Sequence, residues 1–552
     1  MSRSLSINVS KQFKFWFAAS ILLAILFSLS GFGLSLGEYT VQDDARQHVF
    51  WLQRLNDPKL FPNDLIADYF SSVVPAGYKF VYWLANLFGL DPFIFNKVLP
   101  LLLGVGTTVY FFLATTAIFP VPLAGFFSCL LLNQNLWMLD DLVSGTPRAF
   151  LYLLFLGFIY HLLRQQLLPC LLFIVLQGLF YPQVILISAG ILSLNLLTQK
   201  QNRYISIFGL IAAIITVAIY KLQATEFSQV ITFAAAKQLP EFQSTGRSAF
   251  FSDRPWHYWL VAKQTGFFPF EWQYFLMCSG GLFLPILTKF PRLFPLVKRL
   301  SSQSQIIWKI IASSFIWYCL SHLLLFRLHL PGRYSQHTWR ITIALLWGIT
   351  LTVLLHKLIT KIAAHSLARQ LIIMAIAISA LLYPTYAVQS YPHRLGYVTG
   401  TNPELYQFLQ QQPKHIVIAT LSEEADFIPS LARRTVLTAR EYSIPYHWDY
   451  YEQIRDRTKD LIQAQYSFNL ADLKQMIDRY QIDYWLLDSD AFTPEYLTNN
   501  DWLIQFELEI KQAIANFKQA KQQPVIKSFI EQCRVFQTPD SNLLSSRCLL
   551  DN

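Results

Sequence analysis

Two pairs of adjacent acids are the residues most suited to chemistry. Asp43 and Asp44 lie in GEYTVQDDARQHVFWLQRL (37–55), and Asp140 and Asp141 lie in MLDDLVSGTPRAF (138–150). A carboxylate held at a reacting centre can act as a general base. From Asp44, DARQHVFWLQRL has good helix formers and no Gly or Pro. It predicts a short helix with Asp44 as N-cap and with Phe50 and Trp51 on the bilayer surface. Capping accounts for Asp44 and leaves Asp43 unexplained, while the helix N-terminus favours a nearby anion and supplies a structural reading for both acids; the functional reading is that one of them is a general base. In the second pair, Pro147 suits the first turn of the next helix. Arg148 is the only basic residue of that loop, placed to hold an anion or one of the Asp side chains.

A third polar stretch, FRLHLPGRYSQHTWR (326–340), carries cations and no acid. A helix restarting near Arg333 would put Arg333, His337 and Arg340 on one face, with Tyr334 beside them. Such a face suits a phosphate, because arginine pairs with it in a bidentate fork. Snorkelling at a membrane interface is the alternative for each arginine taken singly. The stretch EFQSTGRSAFFSDRPWHYW (241–259) has aromatics that would stack on sugars or lie on the bilayer.

These stretches punctuate a chain of 552 residues that is 53% hydrophobic, 16% aromatic and only 14% charged. Apolar segments recur near 15–36, 98–118, 121–139, 148–163, 167–180, 183–198, 205–220, 273–288, 306–327, 339–356 and 370–388. Their length and lack of charge predict transmembrane helices. LFYPQ (179–183) reads as a tight turn between two short spans. Residues 1–400 hold 29 Lys and Arg against 13 Asp and Glu, whereas 401–552 hold 15 against 21. The basic excess is confined to the apolar part, which fits topology-setting loops and excludes a nucleic-acid surface. With a cytoplasmic N-terminus, 1–14, 119–120, 164–166, 199–204, 289–305 and 357–369 face inward and carry no acid. The outer loops 37–97 and 221–272 carry the carboxylates.

The expected architecture is a polytopic α-helical membrane protein of about eleven spans over 1–388, followed by an extracytoplasmic α/β domain over 389–552. In that domain HIVIAT (415–420), RTVLTA (434–439) and DYWLLDS (483–489) read as buried strands, and NLADLKQMIDRYQ (469–481) as an amphipathic helix. Cys533 and Cys548 either pair there or stay free thiols. Cys129, Cys170, Cys278 and Cys319 lie in apolar segments. No zinc-ligand spacing and no nucleotide-binding motif is present.

Paired acids on a first outer loop, many spans, a late outer arginine motif and an outer α/β tail together resemble the GT-C superfamily. These integral membrane glycosyltransferases use polyprenyl-phosphate sugars, and include protein mannosyltransferases of the dolichyl-phosphate-mannose type and lipid A aminoarabinose transferases. GTPR (145–148) and LPGRY (330–334) look like segments of bacterial members. The resemblance implies an inner or plasma-membrane protein of the cell envelope. It would transfer a hexosyl or pentosyl group from a lipid phosphate to a hydroxyl of a glycan, lipid or protein, with inversion. It maps the base, or the contact to a divalent cation if one is used, onto Asp43 or Asp44. DDARQH departs from the family's common acid-x-acid pattern, which leaves the choice of acid and the use of metal open. Asp140, Asp141, Arg148, Arg333, Tyr334, His337 and Arg340 would then bind substrate. Two other readings remain: a transporter or flippase of a lipid-linked or anionic solute, and an inactive GT-C-like scaffold. Transporters place charge within spans and often repeat internally; this chain clusters charge at span ends and shows no repeat.

Overall fold

Backbone polar groups in lipid must be satisfied internally, so apolar segments of this length become helices. The computed structural model describes residues 2–199, 203–222, 227, 229–269, 279–362, 368–369, 371–372, 375, 379, 395–519 and 523–552. Five helices among them are long and apolar enough to cross a membrane: Ser10–Leu34, Pro92–Ile118, Arg203–Leu222, Ser302–Leu323 and Pro331–Lys361. Shorter apolar helices run over Pro147–Leu163, Leu167–Phe180, Gln183–Thr198 and Ser279–Thr288. Another helix, Pro122–Leu136, packs on the Gln336–Ile362 helix. Tyr181 and Pro182 make the expected turn between two short helices. Of the expected span 273–288, residues 273–278 lie outside the described residues, as does most of 370–388.

The ends of these helices sort by charge. Ser301 N–H donates to the Ile118 carbonyl at 3.0 Å, and Gln303 Nε2 to the Leu163 carbonyl at 3.0 Å. Three of the acid-free segments are thereby joined at one end.

At the opposite end the first loop is tied to the tail. Strand β1 (Thr40–Gln42) pairs antiparallel with β2 (Tyr397–Thr399), Gln42 opposite Tyr397. A short helix, Asp43–His48, follows β1 directly. Its N-cap is Gln42 and not Asp44: the Gln42 side chain accepts from Ala45 N–H at 3.2 Å. Phe50 and Trp51 are also not on a bilayer surface. They are 1% and 6% exposed, and Phe50 packs against Phe61, Phe70 and Tyr442 of the tail. The loop folds onto protein because Leu65–Val73, capped by Asp64, and Ala76–Leu87 give those rings an apolar wall.

The tail holds a five-stranded sheet of order β4-β3-β5-β7-β6, built from β3 (Val417–Thr420), β4 (Thr435–Val436), β5 (Tyr484–Asp488), β6 (Arg534–Gln537) and β7 (Ser541–Ser545). The first three are parallel and the last two antiparallel. The expected strands and the helix Leu470–Tyr480, capped by Asn469, are in place. One apolar core of the tail, around Trp485, Leu473 and Ile477, is its own; Tyr406 and Tyr442 belong instead to the core shared with the first loop. Chain leaving β3 leads to Asp426, and chain leaving β4 leads to Glu441. Cys533 and Cys548 form a disulfide, while Cys129, Cys170 and Cys319 are free.

Disulfides persist in oxidising compartments. Cys533 and Cys548 should therefore resist a membrane-impermeant alkylating reagent on intact cells until reductant is added, then label from outside. Labelling without reductant would contradict the bond, and labelling only after lysis would contradict an outer tail.

Candidate active site

Successive residues of a helix point about 100° apart, so Asp43 and Asp44 face different partners. Their helix is fixed from the tail: Asp43 N–H donates to the Gly396 carbonyl at 2.7 Å, and Gln42 Nε2 to the Leu395 carbonyl at 3.3 Å. Gly396 has φ +70°, and a Cβ there would lie 2.8 Å from Gln42 Nε2 and 3.6 Å from the Asp140 Cβ. Both the backbone conformation and the close approach require glycine.

Asp44 turns to Arg148. Its Oδ2 accepts from Arg148 Nη2 at 2.6 Å. Asp140 Oδ2 lies 3.4 Å from the same Nη2, and Asp141 Oδ1 lies 3.1 Å from Arg148 Nε. Arg148 is thus a buried cation facing three carboxylates. The loop that carries it is held by Asn96, whose Nδ2 donates to the Ser144 carbonyl at 2.8 Å. Gly145, with φ +58°, makes the turn; a Cβ there would meet Asn96 Nδ2 at 2.5 Å.

Asp141 continues the network. Its Oδ2 accepts from Arg340 and, at 3.1 Å, from the Tyr152 hydroxyl, which lies 2.9 Å from His337 Nδ1. Burial would push the Asp141 carboxyl up; Arg148, Arg340 and His337 overcome it and hold it well below the usual range. The cation stretch therefore differs from a simple one-faced cluster. Pro331–Tyr334 is a 3₁₀ turn, and the helix begins at Gln336. His337 and Arg340 turn to Asp141, which comes from another loop. Tyr334 is buried and its hydroxyl donates to the Leu328 carbonyl at 2.8 Å, bracing the turn. Arg333 points elsewhere. It is half-buried beside Tyr181, His329 and Tyr446, and has no carboxylate partner among the described residues.

Asp43 turns to Arg46, which also pairs with Glu441 Oε2 at 3.3 Å. Glu441 accepts from Arg247 Nη2 at 3.2 Å as well, and its N–H donates to Asp426 Oδ1 at 2.8 Å. Burial works against the charge on Arg46, but Glu441, Asp426 and Asp43 hold it ionised. This second network joins the first loop, loop 221–272 and the tail. In that loop Phe242 and Phe250 are buried among Phe326 and Tyr446, while Trp256 and Trp259 stay exposed.

Exposure separates the acids: the side chains of Asp43, Asp44 and Asp140 are 44%, 30% and 28% exposed, against 7% for Asp141. The first three are open to solvent, and Asp141 is buried. No three His, Cys, Asp or Glu side chains among the described residues form a metal-ligand set. Asp43 and Asp44 pair with separate arginines, Arg46 and Arg148.

No protein-family model matches the sequence, and no curated protein matches it. Solved structures do. The oligosaccharyltransferase of Archaeoglobus fulgidus tethered with an acceptor peptide aligns with TM-score 0.51 and 12% identity, over 90% of this chain and 72% of that one. The same protein, AglB, in complex with an inhibitory peptide and a dolichol-phosphate gives the same values. The chain shares its fold with that oligosaccharyltransferase. ArnT from Cupriavidus metallidurans bound to undecaprenyl phosphate aligns with TM-score 0.49 and 12% identity, over 95% of this chain and 97% of that one. In this fold Asp44, Asp140 and Asp141 meet at Arg148, and Arg333 lies nearby, beside His48. Arg46, His48, Tyr152, Tyr181, Gly396 and Glu441 join them without having been singled out. The offsets of Arg46 from Asp43 and of His48 from Asp44 are readable in DDARQH; nothing near Gly396 or Glu441 in sequence points to the site.

Two outcomes are expected. Arg148→Met leaves three carboxylates without their cation, and breaking a buried ion pair from one side costs about 3–5 kcal/mol. Melting in detergent should fall accordingly, and Asp141→Asn in the same chain should recover part of the loss. Burial, with Arg148 and Arg333 nearby, pushes His48 down to about 4, against the pull of Asp44. The folded state then binds fewer protons than the unfolded one between about pH 4 and 6.5, so stability is lost as pH falls through that window. His48→Gln should flatten that part of a melting-temperature profile.

Proposed function

We propose that the protein is an integral membrane glycosyltransferase that moves a sugar from a polyprenyl-phosphate donor to an acceptor hydroxyl on the outer face of the membrane. The carrying observation is the meeting of an accessible carboxylate, Asp44, with a half-buried arginine that has no carboxylate of its own, Arg333, at one end of a GT-C fold. The dolichol-phosphate bound by AglB supports a lipid phosphate as the donor.

In the reaction Asp44 takes the proton of the acceptor hydroxyl. The acceptor oxygen bonds to the anomeric carbon as the bond from that carbon to the phosphate oxygen breaks. The bonding electrons leave with the phosphate, and the anomeric centre inverts. Negative charge grows on the departing oxygen, where a preorganised cation is most effective. Arg333 serves there by its fork geometry. Arg148 orients Asp44 and leaves its Oδ1 for the acceptor; Asp140 shares that arginine at the rim. Arg340, His337 and Tyr152 act through Asp141, keeping the Arg148 loop and the Arg333 turn in register. Asp43 is committed to Arg46, so it holds the helix to the tail. With Gln42 as the cap, Asp44 has no capping duty to explain it. Carboxylates on the outer loops and acid-free inner segments support a cytoplasmic N-terminus and an outer tail.

The assay follows loss of lipid-linked donor in membranes given polyprenyl-phosphate sugars. Asp44→Asn keeps an acceptor for Arg148 but takes no proton, so turnover should fall about 10²–10⁴-fold, with a smaller loss of melting temperature than Arg148→Met because Asp140 and Asp141 still face the guanidinium. Asp43→Asn should cost less. Wild-type turnover in Asp44→Asn would remove this mechanism. Arg333→Lys keeps the charge and loses the fork; it should weaken donor binding, and Arg333→Ala should weaken it further. Unchanged affinity in both variants would return Arg333 to interface snorkelling.

A further inference from the structure

His48 takes part in none of the pairs described above. It closes the helix Asp43–His48, one turn after Asp44, so the two side chains share a face. Its ring stands edge-on to Phe70, with centroids 6.0 Å apart and planes at 80°. Its Nδ1 is shielded from solvent and has no hydrogen-bond partner among the described residues. Such an atom has lost its water and gained nothing, a loss that a ligand reverses by pairing with it. The charged groups that face the ring are Asp44, Arg148 and Arg333. They are the proposed base, the cation that orients it, and the proposed phosphate ligand.

We infer that His48 is a further donor-binding residue, whose neutral imidazole donates a hydrogen bond from Nδ1 to a phosphoryl oxygen of the lipid-linked substrate beside Arg333. The inference rests on the proposed function. Two arginines near the ring favour an anionic partner over a cationic or neutral one. Burial keeps the ring uncharged, so one nitrogen carries a proton and the other does not. Phe70 limits the ring's tilt. A neutral donor adds direction to the site without adding a third positive charge beside Arg148 and Arg333.

The test uses the full-length protein in lipid nanodiscs, titrated with undecaprenyl phosphate. His48→Phe keeps the ring packing and removes the donor; affinity should fall about tenfold or more, the usual effect of a lost hydrogen bond to a charged group. His48→Asn places an amide N–H near the Nδ1 position and should restore affinity to within about threefold of wild type. The ratio of wild-type to His48→Phe affinity should stay flat between about pH 5.5 and 8, because the phosphate monoester titrates there equally for both proteins and the ring does not. Should His48→Phe fail to fold, His48→Leu supplies the same comparison. Wild-type affinity in the Phe or Leu variant, an Asn variant no better than Phe, or a wild-type advantage over Phe that climbs as pH falls would overturn the inference. If Arg333→Ala weakens binding while His48→Phe does not, this inference fails and the proposed function stands. If the wild-type protein does not bind the lipid phosphate, both fail.

Discussion

A single buried guanidinium, that of Arg148, is the constraint on which the end of the molecule that carries the first loop depends. A cation out of water is costly unless carboxylates surround it, and carboxylates so placed are costly without it. Asp44 comes from the first loop, and Asp140 and Asp141 from the second. Asp141 then hands the constraint to Arg340 and the Tyr152 hydroxyl. Segments that leave the membrane at separate places are thus tied at one point by charge. Apolar packing sets where the helices stand, but it is non-directional. The ion network is directional, and it decides which way the loops face.

The divergence of Asp43 and Asp44 follows from helix geometry and has a structural result. Had they shared a strand, one would face the core and the other solvent. On a short helix they reach two cations on two sides. One side, through Arg46 and Glu441, is the joint to the tail; the other, through Arg148, is the joint to the membrane helices. The accessible part of Asp44 lies where these joints leave a gap, next to His48 and Arg333. The parallel strands β3 and β4 deliver Asp426 and Glu441 from their carboxyl ends, which in open α/β sheets is the side that meets ligands and partners.

Much of this was legible in the residue order. The apolar helices, the three tail strands, the helix at 470–480 and both acid pairs are local signals, and local signals survive folding. The Pro147 turn and the solitary Arg148 were legible for the same reason. What escaped was set by distant partners. Phe50 and Trp51 look like membrane-facing aromatics until Tyr442 and the tail cover them. Arg340 and His337 look free until Asp141 reaches them from another loop. Asp44 looks like a cap because Gln42, an uncommon cap, takes that role with its own side chain. Pairings across hundreds of residues leave no mark in a local window, and the choice among the charged groups was made by such pairings.

The β1–β2 pairing also has a consequence for the order of events during synthesis. Gln42 finds the Leu395 carbonyl 353 residues further along the chain. At the usual pace of translation, that partner emerges roughly 20–70 s after the first loop has been made. Through that interval the helix carrying Asp43 and Asp44 lacks its anchor at Gly396, and Arg46 lacks Glu441. A nascent chain therefore lacks this arrangement even when every membrane helix is already inserted. The tail acts as the closing stitch of the first loop.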